Sequence, residues 1–398
     1  MPILLEEDLQ RPLPRMYRVR QQFDETRLED VAGTVRAELA KPEIRALVKP
    51  GMRIAVGVGS RGIQNLYTIV ETTVNSLKEL GAEPFIVSAM GSHGGGTEEG
   101  QREVLAGYGI TEERLGVPVV TTVDTVYLGN CANGRPVWFD RAAYETDFVG
   151  PIQSGLCKML VIGLGNHKGC SAVHEEAPEV FAGAIEETAR LILQKAPVGF
   201  GIAILENAYD KTYAVEAVPA EHLVEREKEL VQIAKGNMPY IMLDEADVIV
   251  CGAIGKDISG AGFDPNILGR SSVLKQFVLH IPRYQRLVLC DVTPASHGNG
   301  IGVGLFDVIT KKVAEQLDLE SMYANAIACN CLGDASVPCT VDDEETAIRV
   351  ALKCCRNIDR DHPRIIRIQN TLHLGEIEVS EALLDAVRAD SRMSLIEN

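Results

Sequence analysis

Short apolar runs alternate with amphipathic stretches along most of the chain, the pattern of an α/β architecture. MRIAVGVGS (52–60) predicts a buried strand, and LYTIVETTVNSLKEL (66–80) the helix after it. PFIVSAMGSH (84–93) predicts the next strand, followed by a helix opening near Thr97, where Glu98 and Glu99 suit the positive N-terminal end. VPVVTTV and RPVWFD supply short extended pieces. KMLVIGLG (158–165) predicts a further buried strand leading into a long helix over 171–194. VGFGIAILEN and TYAVEAVPA predict a β-hairpin around Tyr209 and Asp210. A helix over 221–235 then runs into GNMPY, a Gly/Pro break that marks a domain boundary. The expectation is therefore an α/β protein of two α/β domains, 1–236 and 237–398. In the second, ADVIVCGAIG and RLVLCDVT predict strands, GLFDVITKKVAEQLD and DEETAIRVALKCC helices, and IIRIQNT with GEIEVS the closing strands.

A length of 398 residues agrees with two domains. At 46% hydrophobic and 24% charged residues, the composition is that of a soluble protein with full cores. The formal net charge of −17 argues against binding nucleic acid or an anionic membrane surface, both of which need a basic face. A local basic pocket for a small anion stays open. No window approaches roughly 18 consecutive apolar residues, so no transmembrane helix is expected. The N-terminus has neither a cationic start nor an apolar core of signal-peptide length, so a cytoplasmic location is expected. The ten cysteines are scattered, without CxxC. Cys329 with Cys331, and Cys354 with Cys355, lack zinc-finger spacing, and most thiols are expected to be reduced and buried.

Four polar, glycine-bearing loops follow apolar runs: GSRGIQN (59–65), GSHGGGTEEG (91–100), GLGNHKGCSAVH (163–174) and GKDISGAGFDPN (255–266). In open α/β sheets ligands bind at strand ends of this kind. Each loop carries one strong donor, Arg61, His93, Lys168 or Lys256, beside small residues that let a ligand approach the backbone. Together they predict a ligand cleft lined by loops from both domains. Arg61 before a helix suits a phosphate or carboxylate better than a structural ion pair. His93, between Ser92 and three glycines, has no apolar face to pack on. His167 and Lys168 read as solvated turn residues, and His174, alone in its helix, as a structural histidine. Lys158 is a cation at the head of an apolar run, either a snorkelling edge residue or, with its pKa depressed by burial, a nucleophile. GLGNHKG is not GxxxxGK[ST], and Gly163, Gly165 and Gly169 miss the GxGxxG spacing with no acidic residue to hold a ribose. HExxH and EF-hand patterns are absent.

VGVGSRGI, AMGSHGGGTEEGQ, TDFVGPIQSGLCKMLVIGLGNHKG with the trailing His174, IGKDISGAGFDPNILGR and HGNGIGVGLFD cover nearly the whole chain. Together they resemble the nickel-dependent lactate racemase family, in a less characterised branch of 2-hydroxyacid racemases and epimerases. The resemblance implies an active site between two α/β domains and a nickel-pincer nucleotide, a pyridinium-derived mononucleotide holding nickel through sulfur, carbon and sulfur. It implies Lys158 as the covalent tether and His174, sixteen positions on (174 − 158), as the nickel ligand. His93 would be a catalytic base, Arg61 an anion anchor, and Lys256 a partner of substrate carboxylate or cofactor phosphate. Ser60, Gly165 and Asn266 would line the cofactor. Its partners would be a 2-hydroxyacid substrate and the enzymes that supply the cofactor, with a homo-oligomer left open.

The implied chemistry takes the hydroxyl proton to a histidine while hydride leaves the substrate carbon, and serves both enantiomers with one base per face. The chain departs from the pattern where the second base is expected. FDRAAYE runs directly into TDFVG, which shortens the segment by about a dozen residues on the usual spacing of strands and loops. Three readings stay open: Glu145 or His167 substitutes, balanced racemase activity is lost, or the sequence is an altered version of a longer parent. Val58 stands where the family has an aspartate, which disfavours lactate itself. The alternatives to the enzyme are a metabolite-binding protein on the same scaffold and a zinc hydrolase or lyase using His93 and His174.

Overall fold

The computed structural model describes residues 4–60, 62–153, 155–177 and 180–397, with side chains for all of these except 149–153 and 328. Contacts divide the chain into one unit of Glu25–Asn237 and another of Met1–Asp24 with Met238–Asn398. The first strand, β1 (Met16–Gln21), therefore belongs to the second unit, which the expected domain of 1–236 does not contain. The reason is a buried side chain. Gln21 donates to Leu374 O at 2.7 Å and Tyr240 O at 3.1 Å, and its Oε1 accepts from Met242 N at 2.7 Å.

The Glu25–Asn237 unit holds a six-stranded sheet in the order β4-β3-β2-β7-β8-β9. Its strands are β2 (Arg53–Val58), β3 (Glu83–Ser88), β4 (Val119–Val120), β7 (Phe148–Gln153), β8 (Phe200–Glu206) and β9 (Thr212–Pro219). All neighbours are parallel except the closing hairpin of β8 and β9. Alternate residues of the central strands enter two different cores. Ile54, Val56 and Ile86 pack on one face, and Ala55, Phe85 and Val87 on the other. Burial on both faces explains the continuous apolar runs. A separate antiparallel pair, β5 (Thr125–Asn130) and β6 (Pro136–Asp140), joins the second of these cores through Val137 and Phe139.

The other unit holds an eight-stranded sheet ordered β13-β12-β11-β10-β14-β15-β1-β16. Its remaining strands are β10 (Val248–Cys251), β11 (Arg286–Leu289), β12 (Val308–Thr310), β13 (Cys339–Val341), β14 (Ile365–Ile368), β15 (Glu376–Ser380) and β16 (Met393–Leu395). The α/β class is as expected, and among the described residues no helix is long and apolar enough to cross a membrane.

Three local expectations are overturned. The run 158–165 is not a strand. A short helix (Leu156–Lys158) passes into a π-helical turn (Met159–Gly163), closed by Leu164 N donating to Met159 O at 2.8 Å, and then into the helix Asn166–His174. An apolar run of this length has no period that separates a strand from a fully buried helical turn. The expected long helix over 171–194 is two, Asn166–His174 and Phe181–Lys195. GLFDVITKKVAEQLD holds β12 before a short helix, Lys311–Gln316.

Candidate active site

In the six-stranded sheet the chain runs outward from β2 through β3 to β4, and outward the other way from β7 to β8. The order reverses between β2 and β7, so the crevice beyond their carboxyl ends is the topological switch point where open α/β sheets bind ligands. Residues 59–60 leave β2 there, residues 89–96 leave β3, and residues 155–174 follow β7.

Glycine brings these segments into contact. Gly91 has φ +61° and donates to Gly163 O at 3.0 Å, and a Cβ on it would stand 3.0 Å from Ile162 O. A Cβ on Gly163 would stand 2.7 Å from Ala89 O. Any side chain at either position would push the loop after β3 off the π-helical turn.

The helix Asn166–His174 forms one wall. Its buried positions are Asn166, Gly169 and Val173, which lie on one face. His167, Cys170, Ser171 and His174 form a second stripe at the i, i+3, i+4 and i+7 positions, with Cys170 at its border packing on the core and His167 and Ser171 exposed. Ser92 Oγ of the β3 loop lies 3.9 Å from Cys170 Sγ, and His167 Cδ2 lies 3.8 Å from where a Cβ of Gly96 would stand. The β3 loop thus runs along this stripe.

His93 lies on that loop with its Nδ1 2.7 Å from Ser60 Oγ, and Tyr108 Oη donates to Ser60 O at 2.6 Å. The end of β2 is therefore bonded directly to the histidine after β3. His167 Nδ1 lies 3.1 Å from Ser171 Oγ one turn on. His174 Nδ1 lies 2.7 Å from Cys170 O and 3.5 Å from Cys170 Sγ, and its ring packs on Phe181 at 5.2 Å. The bond to the carbonyl requires a proton on Nδ1, which leaves the lone pair on Nε2. The Cys170 contact lifts the His174 imidazole above its ordinary value, against burial and the nearby charge of Lys158. Burial pushes the Cys170 thiol up, but hydrogen bonds and charge from His174, with Ser92, bring it below its usual value.

Buried polar ties hold this wall. Asn166, in the left-handed region at φ +50°, donates from Nδ2 to Asp140 Oδ2 at 2.9 Å, and Asp140 also caps the next helix by accepting from Ala143 N at 2.9 Å. Burial raises the Asp140 carboxyl to about 6. Arg135, only 6% exposed, pairs with Glu176 two residues beyond His174 and with Glu187 at 2.9 Å, and donates to Ala184 O and Thr188 Oγ1.

Each expected residue but Arg61 has a definite place. Lys158 is exposed at the end of the short helix after β7, close enough to His174 for its charge to act there. Arg61 lies outside the described residues. Gly165 is accounted for by its own chain, since a Cβ there would stand 2.2 Å from Val161 O. Lys168 lies on the other side of the helix with its Nζ 4.8 Å above the Trp138 ring. Glu145 precedes β7, at the opposite edge of the sheet from the switch point, and pairs with Arg141 at 3.2 Å. In the second unit, Lys256 Nζ donates to Gly260 O at 2.7 Å and to Asn325 Oδ1, and burial holds its ammonium below the usual lysine value. Asn266 accepts from Val278 N at 3.1 Å and donates to Asp264 Oδ1 at 3.1 Å, tying its own loop.

Sequence reasoning missed Cys170, Ser171, Asp140 and Arg135. The i, i+4 pairs His167–Ser171 and Cys170–His174 are a legible helical signal. They were hidden by starting the helix at 171.

A nickel-bearing cofactor is implied by the resemblance, and the residues fit it. Metal-bound histidines ordinarily donate their second ring N–H to a carbonyl or carboxylate, as His174 Nδ1 does here. Among the described residues there is no cluster of three or more His, Cys, Asp or Glu able to hold a metal. One imidazole beside a lysine suits a cofactor that brings its remaining donor atoms with it.

Residues 11–179 match the family described as the lactate racemase N-terminal domain. The fold is similar to the lactate racemase apoprotein from Thermoanaerobacterium thermosaccharolyticum, with TM-score 0.53, 11% identity, and 89% of this chain and 93% of that chain covered. It is also similar to a structural-genomics protein from Thermotoga maritima, with TM-score 0.52, 13% identity, and coverage of 80% and 85%. At these identities the likeness is one of fold. No curated protein matches the sequence. The likeness to the lactate racemase family is thus carried in sequence by residues 11–179, the part of this chain similar to that family's N-terminal domain.

Proposed function

We propose that this chain is a nickel-dependent racemase or epimerase of a 2-hydroxyacid. The match of residues 11–179 to the lactate racemase N-terminal domain supports the racemase or epimerase role. The finer reading rests on one observation above all: His174, with Nδ1 committed to a carbonyl and Nε2 left as a ligand, lies within reach of the charge of Lys158 and on the stripe lined by the His93 loop.

In this reading Lys158 tethers a nickel-pincer nucleotide through its amine and His174 Nε2 ligates the nickel. When bound, the cofactor supplies a hydride acceptor. His93 Nε2 accepts the hydroxyl proton of the substrate, and the Ser60 hydroxyl accepts the Nδ1–H of the resulting imidazolium at the 2.7 Å already present. Loss of the hydroxyl proton and the C2 hydride leaves a planar 2-keto acid, and return from the other face inverts the centre.

The test is protein made together with the cofactor-synthesis enzymes. We expect near-stoichiometric nickel by elemental analysis and a mass increase on the Lys158 peptide. Lys158→Ala should lose both, while His174→Ala should keep the lysine adduct and lose at least about tenfold in nickel, as removal of a direct ligand implies. Wild-type protein with neither nickel nor adduct overturns the reading.

A further inference from the structure

We propose that His167 is the second proton-transfer group of this site, serving the substrate face opposite to the one served by His93. This rests on the racemase reading above.

Inverting a carbinol centre through a planar intermediate needs a proton acceptor on each face, since one fixed base cannot reach the hydroxyl from both sides. Two groups were open for the second position, and topology separates them. Glu145 precedes β7, and Asp147 N donates to Arg53 O at the start of β2, which fixes this segment at the amino edge of the sheet. The six residues of β7 then put Glu145 about 16 Å or more from the carboxyl edge, at about 3.3 Å per residue. Its carboxylate is also paired with Arg141.

His167 lies on the right side. It is exposed, on the stripe that also holds His174, and its ring borders Gly96 of the loop that carries His93. Gly94, Gly95 and Gly96 all sit in the left-handed region, at φ +64°, +67° and +65°, so the loop passes His167 as bare backbone. The local chemistry of the two histidines is the same. Each has Nδ1 at a serine hydroxyl, Ser60 at 2.7 Å for His93 and Ser171 at 3.1 Å for His167. A serine hydroxyl can accept from Nδ1–H in the neutral and in the charged ring, and in that tautomer Nε2 is the nitrogen that exchanges a proton with substrate. One histidine stands on the loop after β3 and the other on the helix after β7.

The balance closes. The substrate hydroxyl proton goes to Nε2 of one neutral histidine, and the hydride that leaves C2 returns to C2 from the other side. The carbonyl oxygen then takes a proton from Nε2 of the other histidine, which began as the imidazolium. The two rings have exchanged charge states, and both are exposed, so exchange with water resets them.

The experiment compares cofactor-loaded wild type, His93→Gln and His167→Gln on enantiopure lactate, malate and 2-hydroxyglutarate. Racemisation should fall at least about 100-fold in each variant, the lower end for losing a positioned acid–base group. A single-turnover burst of 2-keto acid should survive from one enantiomer in His93→Gln and from the opposite enantiomer in His167→Gln. A second readout needs no turnover: malate should slow acylation of both His93 and His167 by diethylpyrocarbonate, read by peptide mass spectrometry. Thermal melts check that the variants fold, and Ser171→Ala supplies a milder perturbation of the same ring. Loaded His167→Gln that racemises like wild type, bursts from the same enantiomer in both variants, or a His167 acylation rate unchanged by malate each overturns the base assignment alone. Absence of nickel and of the Lys158 adduct from wild type overturns the racemase reading and this assignment with it.

Discussion

Each sheet has a switch point between parallel neighbours, β2 and β7 in one unit and β10 and β14 in the other, and each is flanked by a glycine-rich loop with a basic side chain. By sequence the two loops look alike. The difference is in what occupies the space a Cβ would take. In the loop after β3, Gly95 has nothing within 4 Å and Gly96 has only the ring of His167. In the loop after β10, a Cβ on Gly255 would stand 1.9 Å from Thr293 Oγ1 and 2.4 Å from Asp257 Oδ1, and one on Gly262 would stand 2.0 Å from Ile301 O. The first loop is bare at Gly95 and Gly96, toward the helix that carries His167, although Gly94 is closed by backbone 2.5 Å away. The second is filled by its own chain at Gly255 and Gly262, open only at Gly260, and its lysine is bonded to Gly260 O within it.

The same contrast appears in the buried polar groups. Around the first switch point they brace the site from behind, and the sharpest way to break the comparison is to remove one. Arg135→Met leaves Glu176 and Glu187 without their guanidinium, so urea denaturation should show a loss of about 2–4 kcal/mol, discounted for the partial exposure of Glu187. Loaded protein should also lose nickel, because Glu176 holds the end of the helix that carries His174. Unchanged stability with unchanged nickel would mean that the wall does not depend on this tie.

Asp140 gives a smaller, pH-dependent effect. Its carboxyl is raised to about 6 in the folded protein, chiefly by burial. A raised carboxyl contributes stability that is full below the unfolded value near 4 and is lost as the pH climbs through the folded value. The stability of wild type relative to Asp140→Asn should therefore fall by roughly 2–3 kcal/mol between pH 4 and pH 7. A difference that stays flat over this range would show that the Asn166–Asp140 bond carries no charge penalty.

What the chain discloses beforehand follows from which signals are local. β2, β3 and the helix Leu66–Glu79 were legible because their periods and turn residues are local. So was the hairpin of β8 and β9, which turns through Asp210 at φ +55°. For His93, Ser60 and His174 the resemblance names the residues, and the structure adds the contacts each side chain makes. The membership of β1 was not legible, since it depends on Gln21 finding backbone partners more than 200 residues away. Nor was the helical nature of 159–163, where every residue is buried and no face is polar. That one misreading broke the stripe His167–Cys170–Ser171–His174 and hid the serine partner of His167. The bonds of Lys256 were not legible either, since its acceptors at Gly260 and Asn325 appear only in three dimensions.

Lys256 also supplies the finest test of the comparison. If its ammonium is a loop tie, Lys256→Met removes two hydrogen bonds but also frees a half-buried charge from its desolvation. These terms oppose one another, and Asn299 Nδ2, 3.3 Å from Asn325 Oδ1, remains to satisfy that acceptor. The net change in stability should then stay within about 1 kcal/mol. Nickel content and the Lys158 adduct should match wild type. Malate that raises the melting temperature of wild type but not of Lys256→Met would show that Lys256 leaves Gly260 and Asn325 to meet a carboxylate. The loop after β10 would then be a binding loop held shut by its own lysine, and the contrast between the two switch points would become one of state instead of construction.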